Sequence, residues 1–166
     1  WRVADLIGEP FALLPPMTRA ERARRVSQLL EAAQLSASLA GARPQELTAG
    51  EQKRIGIARA LATDPVFIVF DEPTTALDVT VRAQIIDLIR GLQARSGLTA
   101  LLITHDLNSV RSLAHHVVVM HRGLVVESGE TEVIFSRPAE PYTRALLAAE
   151  LQIPQLNDER VAMVTG

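Results

Sequence analysis

The sequence predicts an α/β fold in which a parallel sheet is flanked by helices. Residues 66–70 (VFIVF) are consecutive apolar residues, rich in β-branched and aromatic side chains, and the run stops abruptly at Asp71-Glu72-Pro73. That is the pattern of a strand buried on both faces of a parallel sheet, its carboxyl end opening on a ligand crevice. Residues 98–104 (LTALLIT) repeat the pattern and end at His105-Asp106. Between the two strands, Ile85, Leu88, Ile89 and Leu92 recur at helical spacing.

Composition bounds the rest. At 166 residues with 48% hydrophobic content, the chain is long enough for one domain with a substantial core. A net charge of −2 and a pI near 6.1 leave no electrostatic footprint for nucleic acid. No apolar run approaches the roughly 18 residues a membrane span needs, so membrane contact is expected only through partners. The mixed N-terminus predicts no signal peptide. Cysteine is absent, which excludes disulfides and thiolate metal sites and suits a cytosolic protein. The first residue is Trp1 rather than Met, which predicts a fragment or processed piece. The single lysine, Lys53, lies in AGEQKR and not in a Gly-Lys-Ser/Thr loop, so these residues hold no P-loop.

Taken in order, residues 1–14 are weakly patterned and Pro15-Pro16 sets them off. Thr18 and Glu21 form a capping box for a helix whose Val26, Leu29, Leu30 and Ala33 share one face, while Arg22, Arg24 and Arg25 read as a solvated face. After a turn through Gly41 and Pro44, Thr48, Ala49 and Gly50 lead into a second helix with Ile55, Ala58, Leu61 and Ala62 on one side. A hydroxyl and unpaired amides at such a helix start favour an anion, although alone the segment reads as an ordinary helix start. Asp78 caps the helix that ends near Gly97, and Asp106 caps a short helix through Leu113. Residues 116–120 and 124–127 form a hairpin around Arg122-Gly123. Its His116 and His121 are an odd number apart and so face opposite sides, which argues against a metal pair. Short helices over 131–135 and 142–151 follow, and residues 154–166 show no periodicity.

Asp71 and Glu72 are the chemical focus. Two carboxylates at a strand end suit phosphate chemistry, one holding Mg²⁺ and the other orienting the attacking water. Alone the pair reads as a solvated acidic turn, and His105 alone reads as structural. Both strands nonetheless end in chemically capable residues, as strands feeding one crevice should.

Together these segments resemble the nucleotide-binding subunit of ABC transporters. LTAGE at 47–51 resembles that family's signature LSGGQ, VFIVFDE at 66–72 its Walker B, TALD at 75–78 its D-loop and TH at 104–105 its switch histidine. The motifs keep the family's order and spacing, and the resemblance covers nearly the whole chain. RIGIARAL, DEPTTALDVTVRAQIIDLI, ITHDL, VVVMHRGLVVESG and PYTRALLAA are similar to the oligopeptide/dipeptide importer branch, a pattern shared with importers of nickel, glutathione and other small solutes. The resemblance implies a P-loop NTPase-like core with an incomplete parallel sheet flanked by helices. Residues 1–62 would be part of the helical subdomain, 63–136 the C-terminal part of the ATPase core, and 137–166 a C-terminal extension.

The resemblance also implies roles. Glu72 would be the general base or water-orienting carboxylate and Asp71 part of the Mg²⁺ shell. His105 would contact the γ-phosphate, and Asp78 would couple sites across a dimer. Thr48, Ala49, Gly50 and Glu51 would bind the γ-phosphate of ATP held by the opposing subunit, because this family builds each site from two subunits. The implied cofactors are ATP and Mg²⁺. The implied partners are a second ATP-binding subunit, as a homo- or heterodimer, and transmembrane permease subunits, with no nucleic acid. The implied location is peripheral, at the cytoplasmic face of the plasma membrane. Three departures qualify this. Ala49 and Glu51 replace a glycine and a glutamine, and an added methyl and a carboxylate near phosphate are expected to weaken that half-site. The branch's HPYT reads Glu140-Pro-Tyr-Thr143. The Walker A loop, the adenine-stacking aromatic and the Q-loop have no counterpart, so the chain alone is expected to be inactive as an ATPase.

Two function classes stay open. One is the C-terminal part of a transporter ATPase that works within a complete subunit. The other is a non-catalytic remnant or interaction module that docks through its helical region. A non-transport ABC ATPase of DNA repair or translation is disfavoured by PYTRALLAA and by the absence of basic or coiled-coil segments.

Overall fold

The first ordering device along the chain is a pair of apolar residues one turn apart, Val3 and Ile7, both fully buried on the short helix α1 (Val3–Gly8). The structure, a computed structural model, describes residues 1–151 and divides into two compact units, one ending at Ile103 and one starting at Thr104. The first unit continues with α2 (Arg19–Ala32), α3 (Ala49–Ala60), β1 (Phe67–Asp71), α4 (Val79–Ser96) and β2 (Thr99–Ile103). Helix α1 occupies a stretch whose sequence is weakly patterned. One and a half turns hold too few residues to show a period, and tertiary burial makes the helix.

Helix α2 starts where the capping box predicts. The Thr18 hydroxyl accepts from the Glu21 amide at 3.2 Å, and the Glu21 carboxylate accepts from the Thr18 amide at 2.7 Å. Its Val26, Leu29 and Leu30, followed by Ala33, join Val3, Ile7 and Ile55 in one apolar core. The arginine face is not simply solvated. Arg22 donates to the Gly8 carbonyl at 2.9 Å and lies over the Phe11 ring at 5.3 Å, while Arg25 pairs with Asp64 at 2.5 Å. Long side chains can cover apolar surface and still reach a partner, which residue type alone does not reveal.

Helix α3 has two working faces. Ile55 and Ala58, with Ala62 beyond, enter the helical core. Ile57, also buried, lines a groove with Ile68, Phe70 and Pro73. Strands β1 and β2 pair in parallel with Phe67 opposite Thr99 and Asp71 opposite Ile103. The expectation of burial on both faces is corrected here. Ile68 and Phe70 are 7% and 6% exposed, whereas Phe67 and Val69 are each 49% exposed and Leu101 and Ile103 each 47%. Only one face of this sheet is covered by the described residues, so a continuous apolar run produces an alternating burial pattern. Asp78 caps α4 by accepting from the Val81 amide at 3.0 Å, and Gly97 ends it with φ 61°.

The second unit holds α5 (Leu107–Leu113), β3 (His116–His121), β4 (Leu124–Glu130), α6 (Thr131–Ser136) and α7 (Pro141–Leu151). The hairpin turns at Arg122 and Gly123, both with positive φ, as a tight two-residue turn requires. A register shift between Val119 and Met120 breaks the strict alternation on which the separation of His116 and His121 was argued. The two rings still differ in setting: His116 is exposed, and His121 lies edge-on to Tyr142 with centroids 3.9 Å apart. Glu140 gains a structural reading. Its carboxylate accepts from the amides of Tyr142 at 2.5 Å and Thr143 at 3.3 Å, capping α7. The stretch 154–166 lies outside the described residues.

Candidate functional site

The carboxyl end of β1 carries the paired acids. Asp71 is the last residue of the strand and is exposed. Glu72 leaves the strand with φ 47°, an uncommon conformation for a residue with a long side chain. Its amide donates to the Ile103 carbonyl at 2.9 Å, which extends the parallel ladder past the strand end. Its carbonyl accepts from the Lys53 ammonium at 3.0 Å, and its carboxylate accepts from the Thr75 hydroxyl. Pro73 and Thr74 are buried beneath this turn, and Ala76 again has positive φ. The chain then reaches Asp78, whose carboxylate caps α4. Lys53 and Thr75 are therefore part of the setting of Glu72. A Thr three residues after the acid is a legible signal, whereas Lys53 comes from a different element.

The signature-like segment forms the start of α3. Thr48 is the N-cap, its hydroxyl accepting from the Glu51 amide at 3.3 Å. The Glu51 carboxylate in turn accepts from the Thr48 amide and hydroxyl, each at 2.9 Å. These contacts, the amide first and the hydroxyl second, hold the Glu51 carboxyl below its ordinary pKa. Glu51 thus engages the same Thr48 hydroxyl that the anion-site reading assigns to a phosphate. Ala49 is exposed, and Gly50 is buried. A methyl built on Gly50 would lie 2.6 Å from the Val81 γ1 carbon, so this glycine lets the start of α3 approach the start of α4. Beside it, Arg54 donates to the Gln34 carbonyl at 3.1 Å and the Gln84 side chain at 2.8 Å.

The structure therefore brings Asp71 and Glu72 together at one strand end, and sets residues 48–51 against the helix that Asp78 caps. His105 belongs to the second unit, where it is exposed in the bend before α5. That bend is shaped by Asp106, whose amide donates to the Thr104 hydroxyl at 3.1 Å and whose carboxylate accepts from the Ser109 hydroxyl at 2.5 Å. Among the described residues, no cluster of three or more His, Cys, Asp or Glu side chains could hold a metal ion unaided. No described helix is long and apolar enough to cross a membrane.

The chain has relatives among known proteins. Residues 4–75 match the family described as ABC transporter. The chain is 42% identical over 159 residues to the oligopeptide transport ATP-binding protein OppF of Bacillus subtilis, covering 95% of this chain and 52% of that one. It is 39% identical over 163 residues to the dipeptide transport ATP-binding protein DppF of Haemophilus influenzae, covering 98% of this chain and 50% of that one. The chain thus spans about half the length of the curated relatives it matches. A solved dimeric ATP-binding cassette in a post-hydrolysis state, bound to ADP and Pi, superposes with a TM-score of 0.70 at 30% identity, over 78% of this chain and 56% of that one. The fold is accordingly a partial P-loop NTPase-like core, and the chain is similar, over about half of their length, to ATP-binding proteins of ABC transporters that include oligopeptide and dipeptide transport proteins.

Proposed function

We propose that this chain supplies the signature-to-switch half of an ATP-binding subunit that couples ATP hydrolysis to import of peptides or related small solutes. The observation that carries the reading is the strand end: two carboxylates, with the second fixed through its amide, its carbonyl and its side chain. Bound Mg-ATP supplies the γ-phosphoryl group that water attacks. Asp71, exposed at the strand end, suits the shell of a Mg²⁺ ion carried in by phosphates, since Mg²⁺ takes one or two carboxylates and needs no protein cage. Glu72 would orient the water and accept its proton. His105 would contact the γ-phosphate, residues 48–51 would face the nucleotide of an opposing subunit, and Asp78 would link the two sites. The subunit would pair with a second ATP-binding subunit and dock on transmembrane permease subunits at the cytoplasmic face of the membrane. Support for pairing comes from the dimeric cassette it resembles.

A second reading, a non-catalytic interaction module, is favoured by one observation: Glu51 places its own carboxylate on the Thr48 hydroxyl. A graft separates the two. This chain replaces the aligned residues of the Bacillus subtilis oligopeptide transport ATP-binding protein, and ATP hydrolysis is measured together with nucleotide affinity. The first reading expects a graft that hydrolyses ATP and loses hydrolysis on Glu72→Gln while retaining affinity, because the amide keeps the shape but cannot accept the proton. A graft that binds ATP without turnover supports the second. Unchanged turnover in Glu72→Gln removes Glu72 from the role.

A further inference from the structure

Glu72 holds a left-handed backbone conformation, φ 47°, with a long side chain attached. Such a conformation persists only where the surroundings over-determine it. Part of the restraint is local. The Ile103 carbonyl takes the Glu72 amide at 2.9 Å, and the Thr75 amide reaches the Glu72 carbonyl at 3.4 Å. A further contact comes from another element: the Lys53 ammonium, on α3, donates to that same carbonyl at 3.0 Å across 19 positions of sequence. It is the shorter of the two bonds to this oxygen, and it is charge-assisted. Lys53 is half-buried and lines the groove between α3 and β1 with Ile57, Phe70, Asp71 and Pro73, so its stem is confined rather than free to sweep through solvent.

We propose that Lys53 is a positioning residue for the strand-end carboxylate. Its ammonium holds the Glu72 peptide in the left-handed conformation and so fixes the direction in which the carboxylate leaves the backbone. Because Lys53 stands on the helix that begins at residues 48–51, the same contact ties the signature-like helix to the acidic strand end within one chain. The functional side of this inference rests on the reading of Glu72 as the water-orienting group; the structural side does not.

The test starts with the 166-residue chain in solution. An intraresidue amide-to-Hα nuclear Overhauser effect is strong only at positive φ, so it reports the Glu72 conformation directly. Lys53→Met and Lys53→Ala, which remove the donor, are expected to weaken that signal at Glu72 and shift the amides of Glu72 and Thr75. Lys53→Arg, which retains a donor, is expected to keep it. A full-strength signal in either truncated variant overturns the proposal. If both truncations fail to fold, Lys53→Arg decides: a folded variant with the signal intact supports the donor requirement, and a misfolded one or one lacking the signal overturns it. In the hydrolysing graft, Lys53→Met should lower kcat roughly tenfold to a hundredfold with KM for ATP unchanged, and Lys53→Arg should restore most of the rate. The two failures are distinguishable. If Glu72→Gln leaves the graft's rate intact, the role of Glu72 falls while the conformational result for Lys53 stands. If the Glu72 signal survives Lys53→Met, the role of Lys53 falls while that of Glu72 stands.

Discussion

Gly50 shows how one residue can answer to two demands. Its place in the signature-like segment suggests close approach to a phosphate, yet the structure gives it an immediate packing reason: an added methyl would lie 2.6 Å from the Val81 γ1 carbon. Valine is β-branched and stiff about χ1, so it cannot simply swing aside. Gly50→Ala should therefore destabilise the chain by about 1 to 3 kcal/mol in chemical denaturation, in spite of alanine's better helix propensity. Val81→Ala combined with it should recover most of the loss, because the two side chains share the same space. Equal stability of Gly50→Ala and the unmodified chain would show that α3 and α4 do not meet here. Lys53 and Glu51 illustrate the limits of reading single residues. The first donates to a main-chain carbonyl 19 positions away, which leaves no local pattern. The second was weighed as a carboxylate near phosphate, and its nearest partner is instead the residue three positions before it.

At the scale of elements, the starts of α2 and α3 both carry Thr-x-x-Glu boxes, and the sequence made the first of them legible because capping is a local code. Thr48→Ala should cost about 1 kcal/mol of stability, the usual loss of a Thr cap. The box is also pH-dependent. The Glu51 carboxyl is held below its ordinary value of 4.5, chiefly by the Thr48 amide and then by its hydroxyl. A lowered folded-state pKa contributes stability that is complete above the ordinary value and disappears as pH falls through the lowered one. The stability difference between the unmodified chain and Glu51→Ala should thus stay constant from neutral pH down to about 5 and shrink below it. A constant difference at lower pH would mean that the ionised carboxylate is not the cap. The sheet was less legible than the caps. An apolar run such as VFIVF specifies a strand and a need for cover, but which faces are covered depends on layers that sequence periodicity does not supply. Here Ile68 and Phe70 are buried while Phe67 and Val69 are half-exposed.

For the whole molecule, the decisive question is where the charge that binds a triphosphate comes from. The family match and the half-length coverage of its relatives align this chain with one part of those ATP-binding proteins. The strand-end acids and the signature-like helix start, which the sequence made legible as motifs, are within it. Both lie at the γ-phosphate end of the chemistry proposed above. A phosphate-cradling loop needs glycine amides and a lysine that reaches the β and γ phosphates. The one lysine in these 166 residues is Lys53, and its ammonium donates to the Glu72 carbonyl at 3.0 Å. Three of the arginines are likewise engaged within the chain: Arg25 pairs with Asp64, Arg59 with Glu9, and Arg54 binds Gln34 and Gln84. The isolated chain should therefore bind Mg-ATP weakly, with no micromolar transition in titration calorimetry, whereas the graft, which retains the relative's N-terminal residues, should show one. Lys53→Met should leave the weak binding of the isolated chain unchanged, because its ammonium is directed at a carbonyl and not at a ligand. Micromolar Mg-ATP binding by the isolated chain, abolished by Lys53→Met, would reassign that ammonium to the nucleotide.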